Sequence, residues 1–265
     1  MADAPAPPPD VPAPSYWPEA VPVAAPVDAP PAATLMRIAV PASLDPERQQ
    51  WLPALVAAER LHPDEAVLAE AMPPARRDTF VAGRLAMRAA IGQHAPVDRW
   101  APILRSARGA PVLPPAMTGS ISHKRDAALA IVAPRQVAGG ATQHVGIDLE
   151  HRPTARDLEK LSIARRVLTT DELDALRALD ADPLAQRERV LVSFAIKEAI
   201  YKAIDPTVER YVHFTEVALH FREAGVVNVE LRLPELRTDE WQVSARYALD
   251  DRWIMAVATA VRAVP

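Results

Sequence analysis

The chain of 265 residues contains no cysteine, which excludes disulfide bonds and metal sites built on thiolates. No apolar run approaches the roughly 20 residues that a membrane-spanning helix needs. The N-terminus also lacks the basic region and apolar block of a secretory signal. These absences lead us to expect a cytoplasmic protein.

Basic residues are missing from positions 1–33, which hold four of the 34 acidic residues. The rest of the chain therefore has 30 acidic and 30 basic residues. Such a balance excludes the broad basic surface of a nucleic-acid-binding protein. Proline and alanine dominate this first stretch, and proline removes backbone donors and disfavours helix in the residue before it. We predict a disordered tail over residues 1–33, with a docking segment around Tyr16 and Trp17 as the alternative.

The remaining residues alternate between helical and strand patterns. The patterns predict helices over 45–61, 63–71, 76–91, 157–166, 171–179 and 187–204, and strands near 36–40, 127–132, 145–150, 214–221, 226–233, 243–247 and 253–261. Residues 80–89 resemble residues 194–203, and residues 126–133 resemble residues 251–258. A helix followed by a hairpin thus occurs twice. We predict an α+β fold with two similar halves packed as a pseudo-dimer, over 34–140 and 141–265, although chance similarity in an alanine-rich chain is an alternative.

Two acidic residues stand two positions apart in the segment Val145-Gly146-Ile147-Asp148-Leu149-Glu150. Its apolar residues interleave with the acids at period two, which is typical of a buried strand. Asp148 and Glu150 are then expected on the same face. Two like charges this close are unfavourable unless a positive charge lies between them. Mg²⁺ takes oxygen ligands and usually keeps water or phosphate ligands, so the pair predicts a magnesium site.

A third acid lies in the predicted helix that contains Phe194, Lys197, Glu198 and Lys202. Glu198 and Lys202 are four residues apart and share a face. A solvated ion pair is the ordinary interpretation of that spacing. Together with the acidic strand, however, the helix favours a site for a metal-bound polyphosphate. Such a site needs carboxylates that bind the cation and lysines that offset the phosphate charge.

A further segment, Gly119-Ser120-Ile121-Ser122-His123, offers hydroxyl and imidazole groups. It lacks the second glycine of G-x-S-x-G and the spacing of a phosphate-binding Walker loop. These groups suit either a phosphate contact or a hydrogen-bonded histidine of the core.

Taken in order, these three segments resemble the motifs of the 4′-phosphopantetheinyl transferases, in particular the large pseudo-dimeric group that activates surfactin and enterobactin synthetases. The resemblance extends over residues 71–258. It includes the helix around Phe80, the turn Gly109-Ala110-Pro111 and the segment 165–173. Members of this family move the phosphopantetheine arm of coenzyme A to a serine of an apo carrier protein and release 3′,5′-adenosine bisphosphate.

The resemblance also implies residue roles. Asp148, Glu150 and Glu198 are expected to hold Mg²⁺, with Glu198 or a metal-associated water as the base. Lys202 and His123 are expected at the phosphates as catalytic and coenzyme-binding groups, with Lys197 nearby. The expected contacts to the nucleotide and its 3′-phosphate come from three further residues: Ser122, Arg84 and Arg88.

The chain departs from the family pattern at two positions. Ala195 replaces a small polar residue, and Ala110 replaces a lysine found in many relatives, so that Arg105 or Arg108 becomes a candidate substitute. The carrier is expected to be acidic around its serine. Arg165 and Arg166, with Leu168 as an apolar contact, form one candidate docking surface.

Other interpretations stay open at this point. Basic residues at a helix end explain the paired arginines equally well. The acids alone also permit a magnesium-dependent diphosphate hydrolase, and the fold permits a non-catalytic coenzyme A or carrier-binding module. A monomer is expected, and the carrier's pathway (fatty acid, polyketide, peptide or siderophore synthesis) is left undetermined.

Overall fold

A computed structural model of the chain describes residues 17–26, 30, 32–41, 51–94, 100–154, 163–178, 182–222 and 225–263. Two antiparallel sheets form its centre. The first has the strand order β1-β2-β4-β3 and the second has the order β5-β9-β8-β7-β6. The strands of the first sheet are β1 Val21–Pro22, β2 Thr34–Ala39, β3 Met117–His123 and β4 Ala127–Pro134. Those of the second are β5 Thr142–His151, β6 Val217–Phe221, β7 Val226–Leu231, β8 Trp241–Leu249 and β9 Trp253–Arg262.

Six helices accompany the sheets in the described part of the chain. They are α1 Trp51–Ala57, α2 Pro63–Glu70, α3 Pro74–His94, α4 Ala164–Val167, α5 Thr170–Ala178 and α6 Pro183–Val208. The long helices are the predicted ones, and α6 extends four residues beyond its predicted range at each end. Most of the predicted helix over 157–166 and the start of the one over 45–61 lie outside the described residues. The strand predicted from 214 begins at 217, because Phe214–Glu216 forms a 3₁₀ turn.

Side-chain alternation along the strands divides the core into layers. Odd-numbered residues of β4, β5 and β9, such as Ile131, Ile147 and Val257, pack between the two sheets. Even-numbered residues of β4 pack under α3, and those of β9 pack under α6. β4 and β9 therefore bury both faces, which explains their nearly continuous apolar sequences.

The two halves have matching topologies. In the first sheet β4 pairs with β2 and β3, and in the second β9 pairs with β5 and β8, all antiparallel. A long helix covers the outer face of each sheet. These features confirm the predicted α+β fold of two similar halves. The exact domain boundaries at 33 and 140 stay predictions.

The predicted disordered tail is wrong for the part that the structure describes. Trp17 is buried and contacts Trp51 edge-on, with ring centroids 5.1 Å apart. Arg60 donates to the carbonyls of Trp17 and Pro18, both at 2.9 Å. Val21 then pairs with Arg37 of β2. Burial of one large indole and pairing of a short strand outweigh the loss of backbone donors in this proline-rich segment.

Candidate active site

The edges of the two sheets meet where β3 lies beside β5. Ser122 accepts a hydrogen bond from the Leu149 amide at 3.2 Å, and Thr118 accepts one from the Val145 amide at 3.3 Å. The odd-numbered side chains at the end of β3 face α3, while the even-numbered ones of β5 face α6. His123 and Asp148 are thereby brought to one junction from different halves.

Asp148 is the most constrained residue of this junction. It is 4% exposed, and its Oδ1 accepts hydrogen bonds from Ser122 at 2.8 Å and from Lys202 at 2.7 Å. Lys202 also donates to the Ile147 carbonyl at 2.9 Å. The second oxygen, Oδ2, is buried and has no hydrogen-bond partner among the described residues. A buried carboxylate oxygen without a partner is costly unless a ligand supplies one.

Glu150 and Glu198 are half-buried near Asp148. Burial raises the pKa of both carboxyl groups, and the charge of Asp148 contributes to both shifts. An ion pair with Lys124 opposes the shift at Glu150, and Lys202 opposes it at Glu198. Negative charge is therefore only partly compensated by the two lysines.

The donor set fits a hard divalent cation. Carboxylate oxygens are the ligands that Mg²⁺ prefers, and Oδ2 of Asp148 is available for one. Within the described ranges, no three histidine or acidic side chains are already gathered at ligating positions. Lys202 and Lys124 form ion pairs with Asp148 and Glu150.

His123 lies at the end of β3 and faces Arg76, with 2.5 Å between His123 Nε2 and Arg76 Nη1. Burial lowers the pKa of His123 to about 4, and the charges of Arg76, Lys202 and Lys124 add to this shift. The imidazole is thus neutral near pH 7. Because a guanidinium only donates hydrogen bonds, Nε2 accepts and the proton is assigned to Nδ1.

A cleft of about 250 Å³ extends from His123 and Lys202 between α3, α6 and the loop at residues 105–111. Its arginines include Arg76, Arg84 and Arg105. Burial lowers the pKa of Arg84 to about 10, and Arg105 and Arg76 add to this shift while Glu65 opposes it. Burial and the charge of Arg105 also lower the pKa of Arg76. Arg76, Arg84 and Arg105 line one cleft, and such a group of positive charges indicates a site for an anion.

Three of the predicted coenzyme-binding residues do not line this cleft. The prediction for Lys197 is wrong: its amino group is buried and donates to Glu172 at 2.7 Å, to the Val167 carbonyl at 2.8 Å and to the Phe214 carbonyl at 3.1 Å. Consecutive helical residues are 100° apart, so Lys197 faces α4 and α5 while Glu198 faces Asp148.

Ser122 is also placed differently from its prediction. Its hydroxyl is buried between Asp148 and the Leu149 amide, so it positions the carboxylate and is not at the edge of the cleft. Arg88 donates to Glu65 at 2.6 Å and to the Ala101 carbonyl at 3.2 Å, away from the cleft-lining residues. The predicted 3′-phosphate contact of Arg88 therefore has no support, while Arg84 does line the cleft.

The sequence analysis did not predict Arg76 in the cleft or Lys124 at the carboxylates. Arg105, which it named as one of two candidate substitutes for the missing lysine, does line the cleft beside Arg84. A signal for Arg76 was present, because Arg76, Phe80 and Arg84 recur at helical spacing and share one face. Lys124 directly follows the Ser-His segment, but its approach to Glu150 depends on how β3 and β5 meet.

Leu168, expected as an apolar docking contact, is 2% exposed and packs with Val167 and Leu176 instead.

The chain matches two family models. Residues 63–133 match the 4′-phosphopantetheinyl transferase N-terminal domain, and residues 144–258 match the 4′-phosphopantetheinyl transferase superfamily. The two matches together span well over half of the chain. The chain belongs to the 4′-phosphopantetheinyl transferase superfamily, a family of enzymes, which confirms the resemblance seen in its motifs.

Two curated relatives support this assignment. The chain is similar to the 4′-phosphopantetheinyl transferase PptT of Mycobacterium tuberculosis, with 31% identity over 161 residues, 60% of this chain and 64% of that protein. It is also similar to the 4′-phosphopantetheinyl transferase Npt of Nocardia iowensis, with 27% identity over 208 residues, 74% of this chain and 85% of that protein. The chain thus covers a little under two thirds of the first relative and more of the second.

Solved structures of holo-acyl-carrier-protein synthases match about half of the chain. One is the enzyme of Plasmodium yoelii, with 20% identity and a TM-score of 0.37, covering 46% of this chain and 98% of that one. Another is the coenzyme A complex of the Chronobacterium ammoniagenes synthase, with 19% identity and a TM-score of 0.37, covering 47% of this chain and 99% of that one.

Among the described residues, no helix is long and apolar enough to span a membrane.

Proposed function

We propose that this protein transfers the 4′-phosphopantetheine arm of coenzyme A to a serine of an apo carrier protein in a magnesium-dependent reaction. The observation that carries the proposal is the cleft itself. One end has Lys202 and His123 beside the buried carboxylate of Asp148, and its wall holds Arg84 among other arginines. A pyrophosphate and a separate 3′-phosphate on one molecule match these two charged regions.

The carboxylates are assigned to the cation. Asp148, Glu150 and Glu198 would hold Mg²⁺, with Oδ2 of Asp148 as the ligand atom that lacks any other partner. Mg²⁺ held there would neutralise part of the pyrophosphate charge. Ser122 positions Asp148 through its 2.8 Å hydrogen bond.

The cationic side chains are assigned to the phosphates. Lys202 reaches the pyrophosphate from α6, and neutral His123 donates through its Nδ1–H. Arg76, Arg84 and Arg105 bind the 3′-phosphate, with Arg76 and Arg105 taking the role first expected of Arg88.

The transfer exchanges one phosphorus–oxygen bond for another. The carrier serine oxygen forms a bond to the phosphorus that bears the pantetheine. The bond from that phosphorus to the bridging oxygen breaks, and 3′,5′-adenosine bisphosphate leaves with the bridging oxygen. Glu198, or a water that it orients, takes the serine proton.

Mass spectrometry of an apo carrier protein incubated with coenzyme A and Mg²⁺ tests the proposal. We expect a mass gain of one phosphopantetheine, lost on chelation and reduced by about 10² or more in Asp148→Asn. Asp239→Asn is the matched control, because Asp239 is exposed and pairs only with Arg237 among the described contacts. Consumption of coenzyme A without carrier modification, across several carriers, would establish a hydrolase instead. Binding without either product would establish a non-catalytic module.

A further inference from the structure

A loop from the first half approaches α6 across the cleft. Residues 105–111 form a tight turn in which the Ser106 amide donates to the Ala110 carbonyl at 2.8 Å and the Gly109 amide donates to the Ser106 carbonyl at 2.9 Å. Gly109 has φ of 88°, a value that favours glycine. These two hydrogen bonds define the shape of the turn, and Gly109, Ala110 and Pro111 line the cleft.

Arg108 connects this loop to α6. Its Nε donates to both carboxylate oxygens of Asp205, at 2.9 and 3.0 Å, and its Nη2 donates to Oδ1 at 2.5 Å. Further bonds reach the Glu209 carbonyl at 3.0 Å, the Arg210 carbonyl at 3.1 Å and the Tyr201 hydroxyl at 3.3 Å. In the described part of the chain, every hydrogen bond from residues 105–111 to α6 and the turn after it is donated by Arg108.

The contacts of Arg108 leave Arg105 as the loop cation that can bind a ligand in the cleft. Most of the N–H donors of Arg108 are already used, so Arg108 has little left to offer a phosphate. Arg105 lies on the same loop, and no ion pair ties it to an acidic side chain in the described residues. The turn itself has Ala110, which brings no charge. The position of Arg105 relative to Arg84 thus depends on how firmly Arg108 holds the loop.

We infer that Arg108 is a positioning residue that fastens the loop to α6 through Asp205 and so sets the width of the cleft at its nucleotide end. The inference rests on the proposed function for the identity of the ligand, coenzyme A. The attachment of the loop is a property of the free protein.

The first measurement is hydrogen–deuterium exchange of the free protein. In Arg108→Ala we expect faster exchange of the backbone amides of residues 105–111, because the loop loses its attachment while its neighbours keep theirs. Arg152→Ala is the matched control. Arg152 also bridges to α6, at 2.7 Å from Glu188, and its side chain is as exposed as that of Arg108, at 36%. Exchange of the loop should be unchanged in this control.

The second measurement is calorimetric titration with coenzyme A. We expect the Kd to rise about tenfold in Arg108→Ala and less than twofold in Arg152→Ala, since ordering a detached loop costs binding free energy. In a transfer assay the KM for coenzyme A should rise by a similar factor, with kcat at saturation within about twofold of the original.

Asp205→Ala separates positioning from direct contact. A positioning role predicts a loss in the same direction as Arg108→Ala but smaller, because Asp205→Ala removes the carboxylate contacts and leaves the bonds of Arg108 to the Glu209 and Arg210 carbonyls. A direct phosphate contact predicts unchanged or tighter binding in Asp205→Ala, because Arg108 is then released toward the ligand. That result, or unchanged loop exchange in Arg108→Ala, would overturn the inference. Failure of the unsubstituted protein to bind coenzyme A would instead refute the proposed function, while the exchange data would still decide on the bridge.

Discussion

Substitution of Gly146 by alanine provides a stringent test of how the site is assembled. Gly146 lies on β5, two residues before Asp148, under α6. A Cβ at this position would lie 1.9 Å from the Ala199 carbonyl oxygen and 2.8 Å from the Ala203 nitrogen. Both are backbone atoms, so no side-chain rotation relieves the clash. Restoring an ordinary 3.4 Å contact requires α6 and β5 to separate by about 1.5 Å.

The magnitude follows from this separation. Overpacking typically costs about 1–3 kcal/mol, and a clash with rigid backbone belongs at the upper end. At about 3 kcal/mol, the melting temperature should fall by about 6–12 °C. The same displacement moves Glu198 and Lys202 away from Asp148, and a misplacement of about 1 Å costs on the order of 10² in rate.

Thermal and urea unfolding, together with the carrier transfer assay, measure both effects. Gly83→Ala is the control for stability. Its added Cβ would meet Cγ2 of Ile121 at 2.9 Å, a side chain that can move, and alanine improves helix propensity in α3. We expect Gly83→Ala to stay within about 1 kcal/mol of the original protein. If Gly146→Ala were equally mild and fully active, the close contact between α6 and β5 would not position the site as we argue.

Three further predictions address other parts of the molecule. Lys197→Met should lower the free energy of unfolding by about 3 kcal/mol, because the carboxylate of Glu172 loses its cation and keeps only the hydrogen bonds from the Thr169 and Leu219 amides. Urea unfolding should show partial recovery in the double variant with Glu172→Leu, and an unaffected single variant would contradict the internal ion pair. For His123, the lowered pKa means that the unfolded chain binds a proton which the folded protein does not between about pH 6.5 and about 4. The stability contributed by neutral His123 is therefore present above pH 6.5 and is lost as the pH falls toward 4. In His123→Gln the free energy of unfolding should fall less steeply over this range of pH. Identical pH profiles of the two proteins would contradict the lowered pKa of His123. Charge reversal of Arg165 and Arg166, both exposed on α4, should raise the KM for an acidic carrier roughly tenfold with unchanged coenzyme A affinity, and an unchanged carrier KM would exclude that surface.

Much of the fold followed from local pattern. Helix periodicity located α3 and α6, and period-two alternation located β5 with Asp148 and Glu150 on one face. The repeated helix and hairpin indicated two similar halves, which the matching strand orders confirm. These predictions succeeded because each depends on residues that are near one another in the chain.

The predictions for the N-terminal tail and for the cleft cations were less successful. A proline- and alanine-rich composition gave no sign that Trp17 would be buried against Trp51. Similarly, Arg84 and Arg88 are equivalent by spacing, but only Arg84 lines the cleft, since Arg88 pairs with the buried Glu65 of α2. Contacts between segments far apart in sequence decided both cases.

The sequence by itself determined the family, the α+β architecture and the acidic strand, because the motifs and periodicities are local. Only the tertiary structure decided which cations serve the site. Lys197 and Lys202 flank Glu198 in one helix, yet Lys202 reaches Asp148 while Lys197 is buried against Glu172. The physical reason is that a helix presents its residues in all directions, and the elements packed around α6 determine which directions lead to the cleft and which lead to the core.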